Sequence, residues 1–500
     1  MNDYGDLRSR SPLFFSYHCH VSVSVGTMGR YHYRNVMKFT VLGKGKAVPV
    51  GAARIILIDG KDDDVVRLSD GSIEIGLAIG ERKMMTRRKL LLLSRRAVMA
   101  AKLKKVSRLV VDFDSFRFPQ LSMTDAEIAE AFATNAEMAG YDHSEFLSDA
   151  KVRFGEVKEI VFTNADTKEV KDGLVRGKIV GEETNACRRL ANLPGSDVVP
   201  KTLSDEARKI AKRIGEKAKV KVLGVPEMKK LGMGGVLGVG QGSSEEPRFI
   251  VLEFAGGKKG DKPLVLVGKG VTFDTGGLNL KPDASISDGM NMDMSGAAAV
   301  LHTVAAAART GIRRNIVALV PAVENMPSGS SYRPGDILRS MSGKTIEVKN
   351  TDAEGRIILA DALTYAKRYD PAIVVDVATL TGAAMVALGE RASAIFTQDE
   401  QTEHRFRAWG EESGDFVWPL PLWEEYDAEV QGTFGDVANL GRARWGGAIT
   451  AAAFLKQFAD GYPWVHIDMA PRMTAVEDEF LAKGAAGAPV RLLVRMLREF

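Results

Sequence analysis

Cysteine is nearly missing from this chain: Cys19 and Cys187 are the only two among 500 residues. That scarcity excludes a disulfide framework and fits a reducing compartment, with Cys187 expected as a small buried apolar residue rather than a nucleophile. No run of about 18 consecutive apolar residues occurs, so no membrane-spanning helix is written in the sequence. Charge of one sign is lacking too, since 68 Lys and Arg stand against 64 Asp and Glu, for a net charge of +4. The seven histidines are scattered without an HExxH arrangement, which removes the common helix-borne zinc signature. Neither GxxxxGK[ST] nor GxGxxG is present, and acids crowd the glycine-rich turns, so a phosphate loop is rejected. What is there, 45% hydrophobic and 26% charged residues, is the composition of a soluble globular enzyme with two or more domains.

The most telling stretch is Asn350-Thr-Asp-Ala-Glu-Gly-Arg356. The preceding TIEVKN alternates apolar and polar residues and reads as a strand ending there. If the extended backbone continues, Asp352, Glu354 and Arg356 point the same way, with Ala353 and Gly355 leaving room for close packing. An isolated charged loop would ordinarily be solvated. Here a second constellation lies upstream: Val267-Gly-Lys-Gly-Val-Thr-Phe-Asp-Thr-Gly-Gly277, then Lys281-Pro, then Met290-Asn-Met-Asp293. It follows PLVLVG, a short apolar run expected of a buried parallel strand, and ligands in open α/β sheets bind beyond such strand ends.

Together the two segments contribute Asp274, Asp293, Asp352 and Glu354, four negative charges that two divalent cations would neutralise. Hard oxygen donors suit Mn²⁺ or Mg²⁺, and Zn²⁺ also accepts carboxylates. A lysine amine can complete such a shell, because burial and a nearby dication both depress its pKa. Without cations, four buried acids would be costly.

NTDAEGR, VGKGVTFDTGG, the Leu280-Lys281-Pro282 triplet and MDMSGAAAV resemble the signatures of the leucyl aminopeptidase (cytosol aminopeptidase) family of dinuclear metallopeptidases. The similarity runs through DVATLTGA (376–383), WPLPL (418–422), DVANLG (436–441), GAITAAAFL (447–455) and WVHIDMA (464–470). The resemblance implies a metal set of Lys269, Asp274, Asp293, Asp352 and Glu354, with Asp274 and Glu354 bridging two ions, manganese or alternatively zinc. It implies Lys281 as the cation facing the developing oxyanion and Arg356 as the holder of a bicarbonate proton shuttle. Met290, Asn350, Thr379, Leu380 and Gly382 match its substrate-binding positions, implying release of leucine-like residues from peptide amino termini. A cytoplasmic homohexamer is implied as well. Two departures stand out: the Lys281–Asp293 segment is one residue longer than the family spacing, and Pro471-Arg472-Met473 replaces a Gly-aromatic continuation.

The coarse pattern is α/β throughout, with two domains, the larger a mostly parallel sheet covered by helices on both faces. Residues 1–36 match no element or motif and are expected to be a disordered or non-native extension before Met37. Residues 37–180 form an expected amino-terminal α/β domain with strands at FTVLG, RIILID, RLVVDF and EIVFTN and a helix capped by Thr124-x-x-Glu127. A connecting helix over 181–200, ending at Pro194, leads into the catalytic domain of 201–500, with helices expected near Ser295, Gly355 and Ala448. The basic run 81–108 admits a second reading as a nucleic-acid-binding face; the small net charge favours an ordinary surface balanced by acids elsewhere.

Overall fold

A computed structural model of the protein describes residues 37–500 apart from 44, 70–71, 149–154 and 288. The expected amino-terminal extension therefore lies outside the described residues. The first sheet contains β1 (Lys38–Val41), β2 (Ala53–Ile58), β3 (Asp64–Arg67), β4 (Ile73–Ala78), β5 (Arg108–Asp112) and β6 (Glu159–Thr163). Its order is β1-β6-β5-β2-β4-β3, parallel except for β3 against β4. Helices α1 (Arg87–Leu103), α2 (Asp125–Gly140) and α3 (Lys168–Asn192) accompany it. At the start of α2 the Thr124 hydroxyl accepts from Glu127 N while the Glu127 carboxylate accepts from Thr124 N, the reciprocal cap expected from the spacing.

The remaining elements are α4 (Pro200–Ile214), β7 (Ala218–Leu223), α5 (Val225–Leu231), α6 (Gly234–Gly240), β8 (Arg248–Ala255), β9 (Leu264–Gly268) and β10 (Gly270–Asp274). After these come α7 (Asp283–Ser287), α8 (Ser295–Arg309), β11 (Asn315–Asn325), β12 (Ile337–Arg339), β13 (Thr345–Glu347), α9 (Glu354–Ala366) and β14 (Ile373–Ala378). The chain closes with α10 (Gly382–Leu388), β15 (Ser393–Phe396), α11 (Glu400–Ser413), β16 (Val417–Pro419), β17 (Val437–Ala438), α12 (Gly447–Lys456), β18 (Trp464–Asp468) and α13 (Val490–Glu499). The large sheet runs β16-β15-β18-β14-β9-β11-β8-β7, with β10 also on β11, and β12, β13 and β17 make a small third sheet.

Strands β18, β14, β9 and β11 are mutually parallel, and β7, β8 and β15 add antiparallel edges. Every residue of β9, β14 and β18 is buried, as their apolar runs require of strands covered on both sides. Alternation divides them between two cores: Leu264 and Leu266 pack with α8 on one face, whereas Val265 and Val267 pack with α9 and α12 on the other. A separate core fills the first domain around Phe113, Phe132 and Phe162.

One expectation changes. The helix foreseen over 181–200 is the second half of α3, which starts at Lys168 and stops before Pro194. Val170 and Leu174 of α3 sit in the first domain's core, while Cys187 and Leu190 sit in the catalytic core. One amphipathic helix can serve both cores without a linker, because nothing in its sequence breaks it between them. The basic run forms α1 and its flanks, and much of its charge is neutralised internally. Arg88 pairs with Glu411, Arg96 with Asp63 and Arg108 with Glu159, while Arg95 and Lys102 are buried. Cys187 is buried as foreseen, and burial pushes its thiol pKa far up. Among the described residues no helix is long and apolar enough to cross a membrane.

Candidate metal and substrate site

The carboxyl ends of the parallel strands open onto a cavity of about 560 Å³. Lys269 follows the last residue of β9, Asp274 ends β10, Asp293 precedes α8, and Glu354 begins α9. All four side chains are buried. Lys269 Nζ lies 2.8 Å from Asp293 Oδ2 and 2.9 Å from Glu354 Oε1, and donates to the Thr379 carbonyl at 2.9 Å. Lys281 Nζ reaches Asp274 Oδ2 at 2.9 Å and pairs closely with Asp352. Carboxylate oxygens of Asp274, Asp352 and Glu354 lie within 4.8 Å of one another.

The convergence of NTDAEGR has a different cause from the one its alternation suggests. The strand stops at Glu347, Asp352 sits in a turn, and Glu354 and Arg356 already belong to the first turn of α9. Arg356 reaches the cavity from the helix, with Nη1 donating to Asn439 O at 2.9 Å. The helix end wins because Glu354 is favoured in a first turn, against unpaired amides and the positive dipole end. Gly355 has the role foreseen for it. A Cβ there would come within 2.6 Å of Lys269 Cε, so a side chain would displace the lysine.

The Asp274 and Asp293 carboxylates are braced. Asn325 Nδ2 donates to Asp274 Oδ1 at 2.8 Å and to Thr351 O at 2.9 Å, and Gly276 N donates to the same Asp274 oxygen. Gly276 holds φ 86°, and a Cβ on it would strike Asn279 O at 2.4 Å. Thr379 Oγ1 donates to Asp293 Oδ1 at 2.7 Å. Asn350 is not among the residues lining the cavity; its Oδ1 accepts from Asp352 N at 2.7 Å and so holds the turn. Met290, Thr379, Leu380 and Gly382 do line the cavity, together with Met385 and Met473. The turn at Pro471–Met473, where the sequence departs from the expected pattern, thus supplies part of an apolar wall. Asn325, Asn439 and Asp468 escaped the sequence reading as site residues. The latter two stand inside the recognised DVANLG and WVHIDMA motifs, which was their only signal.

Electrostatics report an excess of negative charge: four carboxylates face the two lysines. Burial and the Glu354 carboxylate raise the Asp274 pKa. Burial, against the pull of Lys269, pushes Asp293 up to about 8, and burial with Asp274 and Glu354 pushes Asp352 up to about 6. Glu354 alone is lowered, since Lys269 and Lys281 outweigh its burial. Both lysines are held well above the usual ammonium range by these acids despite burial. Burial draws Arg356 down to about 10, with Glu354 and Asp468 opposing. Asp293 Oδ2 and Asp352 Oδ1 accept no well-aligned hydrogen bond among the described residues, although an ammonium lies beside each. Acids raised by burial and then by mutual repulsion, with oxygens left for coordination, fit divalent cations.

Comparison with known proteins agrees with this chemistry. Residues 185–494 match the family model for the cytosol aminopeptidase family, catalytic domain. A probable cytosol aminopeptidase of Roseiflexus castenholzii is 46% identical over 81% of this chain and 83% of its own length. One from Aromatoleum aromaticum is 48% identical over 70% of this chain and 68% of its own. Among solved structures, the bottromycin maturation enzyme BotP is 31% identical, covering 90% of this chain and 99% of that one, with a TM-score of 0.80. The same enzyme in complex with Mn superposes with a TM-score of 0.79.

Proposed function

The chain belongs to the cytosol aminopeptidase family and is a metal-dependent aminopeptidase, and from that premise we propose that it releases leucine-like residues from peptide amino termini with two divalent cations. The observation that carries this reading is the braced cluster of four carboxylates and two lysines beside an apolar wall in one cavity. Asp274 and Glu354 would serve both cations, Lys269 as a neutral amine and Asp293 one, and Asp352 the other. Manganese is the proposed metal. Bound cations would supply Lewis acidity that activates water and anchors the substrate's free amine.

The chain's own residues do the rest. Lys281 keeps its proton because Asp274 and Asp352 flank it, so it presents a fixed positive charge to the oxygen of the scissile carbonyl. Arg356 Nη1 is held by Asn439 O while its Nε has no protein partner among the described residues, which suits a small bound anion such as bicarbonate to carry protons. Met290, Leu380, Met385 and Met473 offer an adaptable apolar surface for the first side chain. A cytoplasmic homohexamer is proposed for the working enzyme.

The test is hydrolysis of leucine p-nitroanilide by chelator-dialysed protein, with manganese, zinc, magnesium or cobalt added back singly. Activity should vanish on dialysis and return with manganese; full activity in a metal-free sample would overturn the reading.

A further inference from the structure

Asp468 ends β18 with its side chain fully buried, and it touches no substrate atom in the scheme above. Its carboxylate nevertheless gathers the walls of the cavity. Oδ1 accepts from Leu380 N at 3.1 Å and from Ala470 N at 3.2 Å, and Oδ2 accepts from Thr381 Oγ1 at 2.7 Å. Leu380, Thr381 and Ala470 all line the cavity. They come from two separate chain segments, the turn after β14 and the turn after β18, which also meet at their start where Met469 N donates to Ala378 O at 2.7 Å. The Thr379 carbonyl next to Leu380 is the one that receives Lys269 Nζ. One buried charge thus fixes the apolar wall and the main chain on which Lys269 rests. Hydrogen bonds to a buried carboxylate are the strong, charge-assisted kind, which suits them to holding loops whose positions matter to a fraction of an ångström.

The strand below supports Asp468. Trp464 and His466 share its face of β18 by alternation, and both bond Asp376 across the β14 pairing, Trp464 Nε1 donating at 2.6 Å and His466 Nδ1 lying 2.6 Å away. That buried ladder makes the end of β18 stiff. Ordinary strand-end packing could be met by an apolar residue, whereas here a carboxylate is buried with four amide or hydroxyl donors from the substrate wall.

We propose that Asp468 is a positioning residue that sets side-chain selectivity by clamping the Leu380–Thr381 and Ala470 walls together. This builds on the aminopeptidase activity, and it holds for whichever first residue the pocket prefers.

The experiment compares kcat and KM of the manganese-loaded enzyme for alanine, leucine, methionine and phenylalanine p-nitroanilides. In Asp468→Ala, kcat/KM for the preferred substrate should fall about 10²-fold, as wall misplacement near a reacting centre costs. The least favoured substrate should lose much less, so the profile flattens. Asp468→Asn, which keeps an acceptor for the three amides, should recover most of the selectivity. If Asp468→Ala fails to fold, Thr381→Val against Thr381→Ser reads the same contact: the first should flatten the profile and the second preserve it. Equal losses for all four substrates in these variants would make Asp468 merely structural and overturn the proposal, as would a wild-type profile that is already flat. A wild-type preference for a residue other than leucine would instead correct the substrate reading while leaving the clamp to be judged on that residue.

Discussion

Lys269 and Lys281 carry the same ammonium at two ends of one carboxylate cluster, and their surroundings set them apart. Lys269 has a side chain only 3% exposed, enclosed by Asp293, Glu354 and a carbonyl, with Gly355 cut away to admit it. Lys281 is 16% exposed and its partner Asp352 31%, on a loop rather than behind a strand. The inner lysine cannot move without breaking several buried contacts, and it would serve as a neutral ligand only if a bound cation displaced its proton to solvent. The outer lysine can stay charged and turn toward a substrate. Burial, more than residue type, divides the proposed ligand from the proposed catalyst.

The strongest way to break that division is Glu354→Ala, which removes an acid that touches the inner lysine and also clusters with the outer acids. Both bound metal and activity are expected to be lost, with elemental analysis as the check; retention of two ions per chain would contradict the assignment. Lys281→Ala should leave metal content intact and lower kcat by about 10²–10³, the usual cost of one lost oxyanion contact. Loss of metal in that variant would erase the distinction between the lysines.

Smaller effects sharpen the picture. Asn325→Ala removes the donor that orients Asp274 and should weaken metal affinity about 10–100-fold, measurable by titration against a competing chelator. Smallest is a pH effect on the metal-free protein. The Asp293 and Asp352 carboxyls, raised to about 8 and about 6, hold protons more tightly when folded than unfolded. Their contribution to stability is therefore complete at low pH and disappears as pH rises through about 6 and then about 8. Relative to the manganese-loaded protein, the metal-free Tm should drop on the order of 2 °C between about pH 5.5 and 8.5. A parallel pair of Tm curves would show that the acids are not strained without cations.

Much of the architecture is legible in the residues. Apolar β-branched runs such as PLVLVG and IVVDVA can be satisfied only by burial on both faces, and the Thr124–Glu127 cap is a local hydrogen-bond pattern. The short strands β3, β15 and β16 were not foreseen, because strands of three or four residues carry too little periodicity. NTDAEGR shows the same limit at the site: its acids were found, but their convergence was attributed to strand alternation when a helix start produces it.

Residue identity alone determined the chemistry of this protein: four acids, two lysines and an arginine, at spacings that match one family, define what the site can bind. Tertiary structure decided which lysine is enclosed, that Asn350 braces a turn instead of lining the cavity, and that Asp468 ties two distant loops. Those outcomes depend on burial and on contacts between segments far apart in the chain, and a linear pattern carries no term for either.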